Sequence, residues 1–180
     1  MSEQELSPKI AEPVKPLGVV SVCAGDGLAD VFMNLGVDGI ISGGQTMNPS
    51  TQDILEAVNK VPAETVFVLP NNKNIIMAAE QVNAISPKNV VVIPSKTVPQ
   101  GITAMMNVDF DAPDAETLAA AMTDSLSTVT TAQITYAARN SDFDGFDIHE
   151  GDYLALEEGK LFGTDSSLDV LLEKFAADAV

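Results

Sequence analysis

Positive charge, histidine and cysteine are scarce in this 180-residue sequence: nine Lys and Arg, one His and one Cys stand against 26 Asp and Glu. The net charge of −17 at neutral pH sets up a field that repels phosphodiester backbones and anionic lipid, which makes nucleic acid and membrane surfaces poor candidates as partners. The deficit is uneven, because residues 107–180 hold 3 basic and 16 acidic side chains, a net −13. Either a solvated acidic surface or a basic protein partner accounts for it. The single cysteine, Cys23, has no internal disulfide partner and reads, within the apolar run 18–25, as a small core hydrophobe. No apolar run approaches the ~18 residues a membrane helix needs, and no basic start precedes an apolar segment. No membrane insertion and a cytoplasmic location are therefore expected. The chain also lacks a P-loop, a paired-histidine metal motif and a serine elbow. Gly25-x-Gly27 lacks the third glycine of a dinucleotide loop, since position 30 is Asp30, and no acidic residue closes the second strand, so NAD is excluded.

What is present is a regular alternation. Hydrophobic residues make up 46% of the chain and charged ones 19%, enough for one domain, or one with a small appendage, to bury an ordinary core. Residues 1–16 have three prolines and no periodic pattern, and read as a linker or arm, so the chain is expected to be the end of a longer protein. Apolar runs at 17–24, 37–42, 63–69 and 89–93 read as parallel strands. Helical spacing follows at 28–36, from Ser50 onward with Ile54, Leu55 and Val58 inward, at 74–82 and at 101–106. Beyond the acidic break at 109–114, a helix over 115–126 precedes alternating stretches at 129–139, 146–149, 152–157 and 160–162, with Glu158-Gly159 as a tight turn. A last helix spans 166–179. The expected fold is α/β: a mostly parallel, Rossmann-like lobe over 17–107 with flanking helices, then a helix, an antiparallel β segment and a C-terminal helix over 108–180.

Three polar loops follow the second, third and fourth strands, on the sheet edge where open α/β folds place ligands. They supply Gly43, Gly44, Gln45, Thr46, Asn48 and Ser50, then Asn71, Asn72 and Lys73, then Ser95, Lys96, Thr97 and Gln100. Lysines beside Asn and Ser/Thr at helix starts make an anion site for phosphate or carboxylate; the alternative is that the amides and hydroxyls cap helices and knit the edge while the lysines are solvated. In that case Asn72→Ala lowers stability and leaves binding unaltered. Asp26 is the carboxylate best placed for base or metal work, although capping its helix is the simpler role. His149 lies in the acidic β region and reads as a surface residue. No confident catalytic residue and no metal site emerge.

The loops Gly43-Gly-Gln-Thr-Met-Asn-Pro-Ser-Thr51, Leu69-Pro-Asn-Asn-Lys-Asn-Ile-Ile76 and Ile93-Pro-Ser-Lys-Thr-Val-Pro-Gln-Gly101 together resemble the C-terminal domain of the dihydroxyacetone kinase-like proteins, a family that includes the ATP-binding subunit of fatty acid kinase. The similarity runs over about 17–180 and includes Gly151-Asp-Tyr and Glu158-Gly-Lys. It implies a DegV-related fold, and a parent kinase in which ATP and magnesium sit on an upstream domain, with no cofactor in this one. It also implies a DegV-like fatty-acid-binding carrier protein as partner, whose bound fatty acid becomes an acyl phosphate. This chain's expected role is then to bind or position the carrier. The alternative is a small-molecule anion- or phosphate-binding domain of a dihydroxyacetone kinase or phosphatase type of enzyme. The related dihydroxyacetone-binding domain holds its substrate on a histidine, and the loops here supply none, which argues against covalent ketone binding.

Overall fold

The computed structural model describes residues 9–44, 46–111 and 114–178. Residues 1–8 of the expected arm, Gln45, residues 112–113 of the acidic break and Ala179 of the last helix lie outside them. Two compact units are present, Met1–Val129 and Thr130–Val180.

The first unit is built on a four-stranded sheet of order β2-β1-β3-β4, parallel throughout. In chain order it contains β1 (Lys15–Cys23), α1 (Asp26–Asn34), β2 (Gly39–Ser42), α2 (Thr51–Lys60), β3 (Ala63–Leu69), α3 (Lys73–Ile85), β4 (Asn89–Val92), α4 (Val98–Met106) and α5 (Ala115–Leu126). Because β1 and β3 are central, both of their faces must be apolar, which is why their sequences read as unbroken Val/Leu/Phe runs. On one face Leu17, Val19 and Cys23 join Phe67 and Leu69, and α1, α4 and α5 cover them through Phe32, Ala104, Met105, Leu118 and Met122. On the other face Val20, Val22, Val66 and Val68 pack under Ile54 and Val58 of α2 and Ile75, Ala79 and Val82 of α3. Burial pushes the Cys23 thiol above its ordinary pKa, as expected of a core residue.

The structure draws the boundary between units after Val129, not after residue 107, because Leu118, Met122 and Leu126 of α5 are buried in the first unit's core. A change of composition along the chain does not disclose which core an amphipathic helix joins. The later part of the arm is also engaged: Lys15 pairs with Ala63 in the sheet, and Ala11 N donates to Asn59 O at 2.8 Å.

Helix starts follow capping chemistry. Ser50 and Asp53 form a reciprocal capping box at α2, Asn72 caps α3, Thr97 caps α4 and Asp114 caps α5. Helix α4 begins three residues earlier than the sequence suggested, because Pro99 fits the first turn, where its missing N–H costs nothing. Asp114 accepts from Thr117 N at 2.7 Å and Thr117 Oγ1 at 2.9 Å, and these bonds hold its carboxyl below the ordinary range. A lowered folded-state pKa means that the stabilisation is complete above the unfolded value near ~3.9 and is lost as pH falls through the folded one. Melting temperatures of the wild type and Asp114→Asn should therefore differ most between pH 5 and 7 and converge as pH falls through the carboxyl's folded-state value; a constant gap would contradict this.

The second unit holds a three-stranded antiparallel sheet, β5-β8-β9, a separate hairpin of β6 and β7, and α6. Their ranges are β5 Ala132–Tyr136, β6 Ser141–Phe143, β7 Phe146–Ile148, β8 Tyr153–Glu157, β9 Lys160–Asp165 and α6 Leu168–Asp178. Asp144-Gly145 and Glu158-Gly159 both have positive φ (51°, 80°; 49°, 81°), the conformation that two-residue hairpins require. Leu171 is buried in this unit, with its Cδ1 3.3 Å from where a Cβ on Gly163 would stand, and Phe175 meets Phe162 edge-on at 5.9 Å. Among the described residues no helix is long and apolar enough to cross a membrane.

Candidate functional site

The chain passes from β2 across β1 to β3, so its winding reverses at the carboxyl ends of β1 and β3, the crevice where doubly wound sheets bind ligands. The loops after β1, β2, β3 and β4 all arrive at this edge. At its centre is a buried polar hub around Asn71. Asn71 Nδ2 donates to Ser21 Oγ at 2.9 Å and Val22 O at 2.8 Å, Ser95 Oγ donates to Asn71 Oδ1 at 2.8 Å, and Asn71 N donates to Ser95 Oγ at 3.0 Å. The exposures of Ser21, Asn71 and Ser95 are 0%, 7% and 0%, so these bonds are made away from water, where leaving one unmade is costly. Asn71 also has φ 53°, a left-handed conformation that asparagine tolerates better than most residues. Gly101, in α4, packs directly on this side chain: a Cβ there would fall on Oδ1 and lie 2.7 Å from Cγ.

The hub joins the loops after β3 and β4 to β1. Of the expected binding residues it brings together Asn71 and Ser95, and it adds two that the sequence pattern had not singled out, Ser21 and Gly101. Ser21 carried a signal, being the polar residue within Val-Val-Ser-Val-Cys, where a buried hydroxyl needs a partner. The loop after β2 is fastened beside β1 by Gly43 N donating to Cys23 O at 3.1 Å and closed by Gly44 N donating to Met47 O at 2.9 Å. A Cβ on Gly43 would lie 2.7 Å from Pro49 Cδ, so close packing selects glycine there, and one on Gly44 would crowd Ala24 Cβ at 3.2 Å. Asn72 Oδ1 accepts from Asn74 N at 2.9 Å. Gln100 Oε1 accepts from Lys96 N at 2.8 Å, and Gln100 Nε2 donates to Leu126 O at 3.3 Å, joining α4 to the end of α5.

Above this framework stands an exposed rim of Thr46, Asn48, Ser50, Lys73 and Lys96. Lys73 is the first residue of α3, Lys96 immediately precedes the cap of α4, and neither ammonium has an ion pair among the described residues. Asp26 is exposed in the first turn of α1, but the cap is Gly25 and makes no side-chain bond, so Asp26 is not the cap its position suggested. Its charge there complements the helix dipole. His149, in the second unit, is exposed between Asp147 (3.6 Å) and Asp152 (3.4 Å). Among the described residues no group of three His, Cys, Asp or Glu side chains is arranged to hold a metal ion.

Residues 18–179 match the FakA-like C-terminal family, the C-terminal part of fatty acid kinase subunits of that type, a span that takes in both units. This chain belongs to that family. It is 45% identical to Protein YloV of Bacillus subtilis (strain 168) over 153 residues, which are 85% of this chain and 28% of that protein. An uncharacterized protein of Staphylococcus epidermidis (strain ATCC 12228 / FDA PCI 1200) is 42% identical over 82% of this chain and 26% of its own length. Protein SAR1202 of Staphylococcus aureus (strain MRSA252), also uncharacterized, is 39% identical over 89% of this chain and 30% of its own length. This FakA-like C-terminal chain thus spans between a quarter and a third of the curated relatives it matches.

Proposed function

We propose that the chain is the C-terminal module of a fatty acid kinase and that its carboxyl-edge rim binds and positions a DegV-like fatty-acid-binding carrier protein. A separate upstream kinase domain, holding ATP and magnesium, would form the acyl phosphate on the fatty-acid carboxylate. The observation that carries this reading is the family match over residues 18–179. It is supported by an edge whose buried polar groups are spent on one another, leaving a stiff platform with exposed Lys73 and Lys96 for a partner. A DegV-related fold and a cytoplasmic location belong to the same proposal.

Titration of the full chain into fatty-acid-loaded carrier in a calorimeter should give saturable heat, weakened about tenfold or more in Lys73→Glu/Lys96→Glu through lost complementarity. Absence of heat with folded partners would overturn it. A second reading, a small-anion site, is favoured by two lysines at the starts of α3 and α4 that lack ion pairs among the described residues. Under it inorganic phosphate raises the melting temperature, and Lys96→Ala removes the rise.

A further inference from the structure

A different surface of the first unit has the geometry of a peptide groove. Strand β2 is an edge of the parallel sheet, and a hollow of about 400 Å³ lies along it against α2. Two of the residues that line it are small. Gly39 and Ile41 share the α2 side of the strand; Gly39 contributes no side chain, and Ala57 contributes only a methyl from the helix. A Cβ on Gly39 would meet nothing nearer than Val20 Cγ1 at 3.4 Å, an ordinary contact, so packing does not require the glycine.

Among the described residues no further strand pairs with the outer side of β2. Ser42 is in register with Cys23, and Gly43 N donates to Cys23 O. By the alternation of a parallel ladder, Gly39 and Ile41 turn their N–H and C=O toward β1, while Ile40 and Ser42 present theirs at the free edge. No charge within Gly39–Ser42 guards that edge, although natural sheets commonly protect their edges with one. The charges that line the hollow are Asp53, Glu56 and Lys60 on α2 and, just before the strand, Asp38, which pairs with Lys15.

We infer that the β2–α2 groove binds an extended segment of a partner protein by strand addition, with an apolar side chain filling the hollow beside Gly39 and Ala57 and a neighbouring Lys or Arg meeting Glu56 and Asp53. Main-chain bonds to Ile40 and Ser42 supply affinity, and the hollow and the carboxylates supply selectivity, as in other edge-strand recognition. The excess of carboxylates, in a chain of net charge −17, selects a basic segment over a second copy of this chain. The inference is independent of the carrier-binding reading, which concerns the carboxyl-edge rim.

The test is selection of a displayed random octapeptide library on the full chain, with counter-selection on Gly39→Val, followed by affinity measurement on synthetic versions of the enriched peptides. Enriched sequences should alternate apolar residues with Lys or Arg. They should bind the wild type at least tenfold more tightly than either Gly39→Val or Glu56→Lys, and lose about tenfold on N-methylation of the central backbone amide. Circular dichroism establishes that both variants are folded. If no peptide is enriched over the Gly39→Val protein, or if the enriched peptides are indifferent to both substitutions, the inference is wrong.

Discussion

Gly101→Ala is expected to destabilise the protein by about 3 kcal/mol, read as a lower midpoint of urea unfolding. The sign is the informative part, because alanine in a helix interior is normally better than glycine by about 1 kcal/mol. At position 101 the added Cβ would lie 2.7 Å from Asn71 Cγ and 3.0 Å from Nδ2. A flexible surface side chain would swing aside at small cost. Asn71 cannot, since it is 7% exposed and tied to Ser21, Val22 and Ser95. Either those bonds break or α4 moves away from the sheet. A neutral or stabilising Gly101→Ala would show that the hub yields easily.

Asn71→Ala is expected to cost about 3–4 kcal/mol, since it strands two acceptors and a hydroxyl donor in the interior and places alanine at φ 53°. The two substitutions share one volume, so their effects should not add. Made in the Asn71→Ala background, Gly101→Ala loses its obstacle and should become neutral or stabilising by up to about 1 kcal/mol, in line with helix propensity. Four urea curves complete the cycle. Simple additivity would mean that Gly101 is needed for a reason other than Asn71.

The parallel lobe was legible because central strands buried on both faces leave an uninterrupted apolar record; the third strand, 63–69, and the helix over 115–126 have the expected limits. The polar loops were legible as a group for the same reason, falling where each apolar run stops. Less visible was what individual polar residues do. Asn71 and Ser95 look alike on paper with Asn72 and Ser50, yet the first two are buried and mutually bonded while the others cap helices. That distinction depends on the strand order, which brings residues 21, 71 and 95 together from three parts of the chain. Strand β6 was missed although Asp144-Gly145 is a hairpin signal, because Ser141-Asp-Phe143 is too short and polar to show alternation. The unit boundary was misplaced for a related reason: an amphipathic helix advertises an apolar face but not the core it will join.

We propose that the exposed rim of the carboxyl edge receives the carrier. Hydrogen exchange read by mass spectrometry, on the full chain alone and mixed with fatty-acid-loaded carrier, tests it most directly. The first amides of α3 and α4 and the loop around Thr46 and Asn48 have no intrahelical partners to slow them. Exchange should slow in peptides covering 43–50, 70–74 and 94–101 while the second unit stays unchanged. A complex that leaves those three segments unaltered, or that protects only residues beyond Val129, would contradict the account.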